Sequence, residues 1–345
     1  MHTTRYPWAA IALAALSTLA TTAQAQGSGQ LNVICSVQDA WCSMIATTFT
    51  RSTGIKVNMV KRGSGEALAQ LIAERSNPKT DVWFGGTGDP HIQAAELDLT
   101  LEYKSPSLGQ LHGWAQEQAR QSAYRTVGVY SGPLGFGFNT ELLAKKKLAA
   151  PLCWKDLVNP AFKGELQVAN PSSSGTAYTM IATLVQLMGE DKAFDYLKEL
   201  HRNVSQYTRS GTGPIKAVAR GEAMLSISFV QDAPGEQMQG FAVATSTPCE
   251  GTGAEVGSMS IIKGTRSLDN AKRFYEWALT PSAQALAVAV KQFHLQSNKA
   301  TPLDSNVPDF KKIKFINYDY AKYGKTAERK RLIERWERDV NSLSR

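Results

Sequence analysis

Short apolar runs alternate along this chain with stretches in which apolar residues recur at helical spacing. In the first part of the chain, β-rich runs predict strands, and Gly- and Ser-rich turns lead from them into segments that predict helices. Strands that alternate with helices indicate an α/β fold with a largely parallel sheet. The predicted strands are 30–35, 55–60 and 81–84, the last ending at the glycine-rich 85–88, and the predicted helices are 39–51 and 66–74.

Two extended segments, 127–139 and 255–263, contain several glycines, which can absorb backbone rotation. We interpret them as crossover strands between two lobes. A second α/β unit lies between them, and helices follow the second crossover and are expected to cover the first lobe. The second unit has predicted strands 165–169 and 223–229 and predicted helices 176–188, 192–203 and 215–220, and the final helices are predicted at 267–279, 281–290 and 326–340.

Two α/β lobes joined by two crossing strands form a hinged clamp, and the cleft between the lobes is the expected binding site. The chain of 345 residues also exceeds what one hydrophobic core usually organises. We divide it into a first part of lobe 1 (26–130), lobe 2 (131–255), and a return to lobe 1 with the C-terminal helices (256–345).

Residues 1–25 have the pattern of a secretory signal peptide. Arg5 precedes an apolar stretch, 8–20, and the small residues 23–25 place the expected cleavage before Gln26. The apolar stretch is shorter than the ~20 residues that a membrane-spanning helix needs. We therefore expect a secreted, periplasmic protein that does not insert into the membrane.

The composition is that of an ordinary globular protein, with 43% hydrophobic and 20% charged residues. The formal net charge of +8 weakly favours an anionic ligand. Basic residues concentrate near the C-terminus but lack interleaved aromatic residues, so no nucleic-acid partner is expected. We expect a monomer.

Four cysteines, Cys35, Cys42, Cys153 and Cys249, lie in a chain that is expected to enter an oxidising compartment, where disulfides form. Three connectivities are possible. Pairing Cys35 with Cys42 and Cys153 with Cys249 is favoured because each pair then lies within one lobe. The chain has no C-x-x-C motif and no paired-histidine spacing, so we expect neither a bound metal nor a cofactor.

The turns that follow the predicted strands are similar to one another, because most offer a hydroxyl and free backbone N–H groups at the start of a helix. In an open parallel sheet, ligands bind at these carboxyl ends of the strands. Helix N-termini carry partial positive charge, so several that converge would hold a phosphate or a carboxylate, although Ser and Thr are also ordinary helix caps. The residues expected to hold the anion are Ser36, Ser64, Thr87, Ser173, Ser174, Gly175 and Thr176.

Gln231, Asp232 and Glu255 are expected to bind hydroxyl groups of the ligand, because they follow a second-lobe strand or enter the return crossover. Carboxylates bind cations as well as hydroxyl groups, so these residues do not decide between a sugar and a cation as ligand. Asp232 could also cap a helix. Motifs of serine hydrolases, zinc proteases and P-loop proteins are absent, and His91, His112, His201 and His294 are scattered, so we expect no enzyme.

Six blocks of the sequence resemble the extracellular solute-binding proteins of ABC importers in the ferric-iron-type cluster. The resemblance extends over nearly the whole chain after residue 25. The blocks are Val33-Ile-Cys-Ser-Val-Gln-Asp, Gly65-Glu-Ala-Leu-Ala, Asp81-Val-Trp-Phe-Gly-Gly-Thr-Gly-Asp-Pro, Asn170-Pro-Ser-Ser-Ser-Gly-Thr-Ala-Tyr, Glu250-Gly-Thr-Gly and Gly257-Ser-Met-Ser-Ile-Ile-Lys-Gly.

The resemblance implies a type II periplasmic-binding-protein fold and a receptor that delivers a small solute to a membrane permease, while the hydroxyl-bearing turns favour an anionic solute. Members that bind iron hold it through adjacent tyrosines, and here Tyr318 and Tyr320 only approach that pattern. Members that bind hexose phosphates combine a hydroxyl-rich cradle with a His-Asp pair and a later glutamate, which Asp232 and Glu255 match while Gln231 replaces the histidine. A sugar phosphate is therefore the leading expectation.

Three alternatives remain open from the sequence. The first is ferric iron with a synergistic anion. The second is thiamine or its phosphate esters, for which Trp83 or Tyr178 would have to stack on the ring. The third is a ligand-sensing subunit of a signalling system.

Overall fold

The computed structural model describes residues 1–3 and 29–344. The apolar stretch 8–20 and the expected cleavage site before Gln26 lie outside the described residues. None of the helices described is both long enough and apolar enough to cross a membrane. The described strands are β1 (Gln30–Cys35), β2 (Lys56–Lys61), β3 (Val82–Thr87), β4 (Val127–Asn139), β5 (Leu166–Ala169), β6 (Val204–Thr208), β7 (Leu225–Phe229), β8 (Val243–Ser246), β9 (Ala254–Ile261) and β10 (Leu295–Gln296).

Helices follow most of the strands, as the alternating pattern predicts. The segment 281–290, predicted as one helix, forms two short ones, and a π-helical turn at Glu337–Asn341 extends the last helix. The helices are α1 (Asp39–Thr53), α2 (Ser64–Ala73), α3 (Gly88–Glu96), α4 (Gly113–Gln121), α5 (Thr140–Lys146), α6 (Gly175–Met188), α7 (Glu190–His201), α8 (Gly213–Ala219), α9 (Ala233–Gln237), α10 (Leu268–Ala278), α11 (Pro281–Gln284), α12 (Leu286–Ala289), α13 (Tyr320–Tyr323) and α14 (Thr326–Trp336).

Strand β4 belongs to both lobes. Its first half pairs with β9 and β10 in an arrangement ordered β2-β1-β3-β9-β4, and its second half, Leu134 to Phe138, pairs with β7 in the order β4-β7-β5-β6. The pairs β1–β2, β1–β3, β5–β6 and β5–β7 are parallel, whereas β4 and β9 run antiparallel to their neighbours. The strand pairing gives a physical ground for dividing the chain near 131 and 255, and the boundaries themselves stay a prediction.

Each lobe has its own hydrophobic core. Trp41, Phe49 and Phe274 lie in the core of lobe 1, and Phe194 lies in the core of lobe 2. In β1 the side chains of Leu31, Val33 and Cys35 face the main core, while Ile34 packs with α2 on the other face of the sheet. A strand that is buried on both faces needs helices on both sides, and this explains the continuous apolar run in the sequence.

The last helix packs on lobe 2, so the prediction that 326–340 covers the first lobe is wrong. Leu332, Trp336 and Val340 are buried in the lobe 2 core, and the Trp336 ring lies 5.0 Å from that of Tyr207. Arg331 and Arg335 also pair with Glu190 at the start of α7. The apolar face of α14 was visible in the sequence, but its periodicity does not say which core it meets.

Strand β3 continues through Gly85 and Gly86 to Thr87, beyond the end predicted at Phe84. Both glycines have φ values in the left-handed region, +76° and +86°, and the register with β9 shifts between Phe84 and Thr87. A Cβ at Gly86 would meet the side chains of Ser36 and Ser64. Glycine at this bulge therefore lets three loops at the carboxyl edge of the sheet approach closely.

Both expected disulfides are present. Cys35 is bonded to Cys42, and Cys153 to Cys249. The first joins the end of β1 to α1, directly before the loop that carries Ser36. The second joins the loop before the 3₁₀ turn Trp154–Val158 to the loop after β8 in lobe 2.

The position of the last helix can be tested with Trp336→Ala. Trp336 is 1% exposed, and replacing such a residue by alanine costs about 3–5 kcal/mol of unfolding free energy. We expect hydrogen exchange to accelerate mainly in β5, β6 and β7. Phe274→Ala is the matched control, because it removes a fully buried ring from the core of lobe 1 and should affect β1 and β3 instead. Accelerated exchange confined to β1–β3 in Trp336→Ala would contradict the placement.

Candidate functional site

The lobes meet around a small cavity of about 40 Å³. Eight of the ten predicted ligand-binding residues line it. The complete lining is Ser36, Val37, Gln38, Gly63, Ser64, Gly86, Thr87, Tyr130, Ser174, Gly175, Thr176, Ser210, Gly211, Thr212, Phe229, Asp232, Glu255 and His294.

The two other predicted residues lie directly behind the lining. The hydroxyl of Ser173 donates to the carbonyl of Arg209 at 2.8 Å, and its own carbonyl accepts a hydrogen bond from the Gly65 N–H. The Gln231 side chain is fully buried, and its Nε2 donates to Glu255 Oε1 at 3.0 Å. Ser173 therefore positions a loop, and Gln231 orients a carboxyl group of the lining.

Helices from both lobes begin at this cavity, among them α1, α2, α3 and α6. The residues that precede α1, α2, α3 and α6 are Gln38, Gly63, Thr87 and Ser174, and all four line it. The side chains of Thr87 and Ser174 make no capping hydrogen bond with their helices, so ordinary capping does not account for these hydroxyls. Unpaired N–H groups and the positive ends of several helix dipoles thus face one small volume, which favours an anion.

Three hydroxyl groups at this cavity share a further property. Ser36 Oγ accepts from Trp83 Nε1 at 2.9 Å, Ser64 Oγ accepts from the Thr87 N–H at 3.2 Å, and the Tyr130 hydroxyl accepts from the Gly86 N–H at 2.9 Å. Each hydroxyl therefore keeps its own O–H to donate. Burial, with Glu255 nearby, raises the pKa of Tyr130 well above its ordinary value, so the phenol stays a donor. Such a set of donors suits a ligand group that only accepts.

A second part of the lining carries two carboxyl groups and an imidazole, and the ring of that imidazole, His294, lies 4.6 Å from the ring of Tyr130. His294 Nε2 lies 4.0 Å from Asp232 Oδ1 and 3.9 Å from Glu255 Oε1, and all three side chains are buried. Burial raises the pKa of Asp232 to about 7 and that of Glu255 well above its ordinary value. Burial also lowers the pKa of His294 to about 3, so the imidazole is neutral. This part of the lining can both donate and accept, as ligand hydroxyls require.

Several polar atoms around the cavity lack a hydrogen-bond partner among the described residues. They include Gln38 Oε1, Thr87 Oγ1, Gln231 Oε1 and His294 Nδ1. A buried polar atom without a partner destabilises the fold by about 1–3 kcal/mol. A polar ligand bound in the cavity would complete the hydrogen bonds of these four atoms.

The lobes are closed on one another. Gln38 Nε2 of lobe 1 donates to Asp232 Oδ1 of lobe 2 at 2.6 Å, and the Gly65 N–H donates to the Ser173 carbonyl at 3.1 Å. At the rim, Arg209 forms an ion pair with Glu66. A Cβ at Gly175 would overlap the side chain of Thr87, so only glycine permits this approach of α6 to lobe 1.

Gln38, Tyr130 and His294 are among the lining residues that were not predicted from the sequence. Tyr130 lies within the predicted crossover 127–139, and Gln38 directly precedes the predicted helix 39–51. Both positions could have indicated a place at the cleft. His294 immediately precedes the short strand β10, which pairs with β4 at the crossover. Nothing in the local sequence predicts this pairing. The sequence therefore does not show that a long-range contact brings His294 close to Asp232.

Other residues considered from the sequence lie elsewhere. His91 is fully buried, stacks on Trp83 at 3.6 Å and bonds to Ser260 and the Gly85 carbonyl. Tyr178 donates to the Tyr323 carbonyl at 2.6 Å. Neither Trp83 nor Tyr178 lines the cavity, so neither is placed to stack on a ligand ring. Tyr318 and Tyr320 line a different pocket, behind the crossover strands.

Comparison with known proteins identifies the architecture. A family model described as bacterial extracellular solute-binding protein matches residues 93–323. An uncharacterized protein of Haemophilus influenzae is 45% identical over 324 residues, covering 93% of this chain and 94% of that protein.

Two solved structures are similar over almost their whole length. The periplasmic binding protein AfuA of Actinobacillus pleuropneumoniae, solved with exogenous fructose-6-phosphate bound, is 44% identical, has a TM-score of 0.89, and is matched over 92% of this chain and 100% of that chain. The periplasmic binding protein P5PA is 38% identical with a TM-score of 0.87, over 90% and 99% of the two chains. These matches confirm the expected type II periplasmic-binding-protein fold.

The raised pKa of Asp232 predicts a specific pH dependence of stability without ligand. The folded protein holds this proton up to about pH 7, whereas an unfolded aspartate releases it near pH 4. Stability of the wild-type protein therefore contains a contribution that falls as pH rises from about 4 to about 7. Asp232→Asn removes it, so we expect the variant to gain several degrees in melting temperature over wild type at pH 8, and less at pH 5.

The measurement is a thermal melt of both proteins, free of ligand, at the two pH values. Asp269→Asn, which removes an exposed carboxylate, is the control. Its difference in melting temperature from wild type should be the same at pH 5 and pH 8. An equal gain at pH 5 and pH 8 would show that Asp232 is not protonated in the folded protein.

Proposed function

This chain belongs to the bacterial extracellular solute-binding proteins, and from that membership we propose that it captures a phosphorylated sugar between its two lobes for an ABC importer. The family consists of binding components of transport systems, so the chain is a receptor and not an enzyme. Its partners are a small-molecule ligand and the membrane permease. We further propose that it acts as a monomer in the periplasm, after removal of residues 1–25.

The observation that carries the proposal is that one part of the lining, around Ser36 and Ser64 and the neighbouring helix N-termini, mainly offers hydrogen-bond donors. We call this part the phosphate end. The hydroxyls of Ser36, Ser64 and Tyr130 each accept an internal N–H group, and each keeps an O–H that can donate to a ligand. Together with the N-termini of α2, α3 and α6, they offer a set of donors to an acceptor-only group. A phosphate ester has three acceptor oxygens and fits this demand.

The part of the lining with the two carboxyl groups supports a polyhydroxylated ligand. Asp232 and Glu255 can each accept or, when protonated, donate, and the neutral His294 between them offers one of each. Hexose-phosphate-binding members have a histidine before the aspartate, where this chain has Gln231. Here His294, from a distant segment of the chain, brings an imidazole close to Asp232. The similarity to AfuA, which was solved with fructose-6-phosphate, supports the same class of ligand here.

Ferric iron and thiamine are supported less well by the residues at the cavity. Within the lining, Tyr130 is the single tyrosine, and its hydroxyl already accepts the Gly86 N–H while burial favours the protonated phenol. Iron would need anionic phenolate ligands. Thiamine would need an aromatic ring for stacking, and the expected Trp83 and Tyr178 are packed elsewhere.

Binding and closure are coupled because the ligand touches both lobes. The phosphate would contact Ser36 and Ser64 of lobe 1 and Ser174 and Thr176 of lobe 2 at once. A ligand shifts the open–closed equilibrium only by its differential affinity for the two forms, so contacts with both lobes are what stabilise the closed one. The permease then meets a closed receptor.

Thermal-shift screening of the protein lacking residues 1–25 tests the ligand class. Fructose 6-phosphate should raise the melting temperature in proportion to the logarithm of its concentration above Kd, and fructose should not. Phosphonates, thiamine phosphate and ferric salts complete the panel. A rise with ferric salts alone, accompanied by tyrosinate-to-metal absorption, would exclude the sugar-phosphate proposal.

Ser174→Asp tests the cradle residue by residue. A carboxylate at this position faces the phosphate with a like charge, so fructose 6-phosphate binding should fall by at least about 100-fold. Ser174→Ala, which removes one hydrogen bond to a charged group, should weaken binding about tenfold. Isothermal titration measures both.

Ser173→Ala is the matched control, because the Ser173 hydroxyl bonds to the Arg209 carbonyl and lies outside the lining. It should weaken binding less than Ser174→Ala does. Unchanged affinity in Ser174→Asp would remove the 172–176 loop from the site.

A further inference from the structure

The cavity that would hold the phosphate has no lysine or arginine among its lining residues, yet one arginine lies directly behind it. Arg329 of α14 is 8% exposed. Its Nη2 donates to the Pro171 carbonyl at 3.0 Å, in the loop that leads to Ser174. A Cβ at Gly65, next to Ser64, would lie 3.1 Å from the same nitrogen. The guanidinium thus bonds to the loop of Ser174 in lobe 2 and lies close to the loop of Ser64 in lobe 1.

The environment of Arg329 leaves much of its charge uncompensated. The guanidinium lies 5.3 Å from the centre of the Tyr178 ring, and Nε has no hydrogen-bond partner among the described residues. The carboxyl group that interacts with it electrostatically is Asp89, in the first turn of α3. Burial raises the pKa of Asp89 to about 7, which weakens it as a counterion near neutral pH.

Residues around Arg329 tie the last helix to both lobes. The hydrophobic face of α14 is part of the lobe 2 core, while the Thr326 N–H and hydroxyl donate to Glu96 of α3 at 2.8 Å. The Ser172 hydroxyl, in the loop of Ser174, donates to Glu337 at 3.0 Å. Arg329 is therefore held in place in the closed arrangement by contacts on either side.

We propose that Arg329 is a specificity-determining residue of the phosphate site, which acts through the loops of Gly65 and Pro171 and makes the receptor prefer dianionic phosphate esters to monoanionic esters. This inference rests on the proposed function. The neutral donors of the cavity bind any oxyanion by hydrogen bonds, but they respond weakly to the number of charges. A buried guanidinium behind them responds to that number directly, because charges interact strongly where water is excluded.

A role in phosphate recognition also explains why the guanidinium of Arg329 is buried with only Asp89 as a partial counterion. Removing a guanidinium from water destabilises the protein unless an anion compensates it. Asp89 does so in part, and a bound dianion in the cradle completes the compensation. Closure without an anion is then less favourable than closure around one, so the same residue links ligand charge to the closed form.

The test compares fructose 6-phosphate with fructose 6-sulfate, which have the same sugar and differ in the charge of the ester at pH 8. The ratio of the two Kd values is the readout, measured by isothermal titration for each protein. Arg329→Met keeps the length of the side chain and removes the charge, and we expect the preference for phosphate to fall about tenfold or more. Arg329→Lys keeps the charge and should restore most of the preference.

Two further variants separate this role from a structural one. Arg335→Met removes an arginine of the same helix that stacks on Phe194 at 4.3 Å, and it should leave the Kd ratio unchanged. Asp89→Asn removes the partial counterion, and it should increase the preference for phosphate at pH 8. The second variant carries the test even if Arg329→Met does not fold.

Equal weakening of both esters in Arg329→Met, or an unchanged ratio in Asp89→Asn, would overturn the inference and leave the proposed function intact. Failure of the wild-type protein to bind fructose 6-phosphate would instead contradict the proposed function.

Discussion

The antiparallel pairing of β4 with β9 is the constraint on which the rest of the structure depends. These two strands cross between the lobes side by side, from Val127 opposite Met259 to Pro133 opposite Ala254. Lobe 1 is built on one side of this pair and lobe 2 continues from β4 on the other. Because both lobes extend from the same ribbon, the loops at the carboxyl ends of their parallel strands face each other. The convergence of helix N-termini on one cavity is a consequence of this geometry.

The phosphate end achieves its polarity without a cation in its lining. An N–H group from Trp83, Thr87 or Gly86 bonds to each hydroxyl oxygen, so each O–H can donate to a ligand. Such a network is rigid, because every member is fixed by another, and preorganised donors need little rearrangement when a ligand binds. Neutral donors and helix dipoles also avoid the large desolvation penalty of a buried ammonium or guanidinium in direct contact with the cavity. This leaves room for a charge in the layer behind, where Arg329 lies.

The sequence predicted the alternating order of strands and helices and both disulfides because these depend on local periodicity and on proximity within a lobe. It also identified most of the loops at the cavity, since a Ser- or Gly-rich turn after a strand is a local feature. It failed where the outcome depends on long-range contacts. The apolar face of α14 fits either core, and only the complete fold shows that Trp336 meets Tyr207 in lobe 2. His294 reaches Asp232 through a two-residue strand that has no pattern of its own.

The hydroxyl groups near Ser36 and Ser64 and the carboxyl groups near His294 are two parts of the lining that make different demands on a ligand. An anion placed against Asp232 and Glu255 would meet two buried carboxyl groups that repel it when ionised, whereas a single sugar hydroxyl placed between Ser36 and Ser64 would leave most of the donors there unpaired. Each mismatch leaves buried polar groups without partners, and such losses discriminate between ligands more strongly than missing apolar contacts do. A solute with a phosphate at one end and hydroxyls at the other satisfies both parts of the lining. Free phosphate and free sugar each satisfy only one part, so neither draws on the full set of contacts from the two lobes that stabilises the closed form.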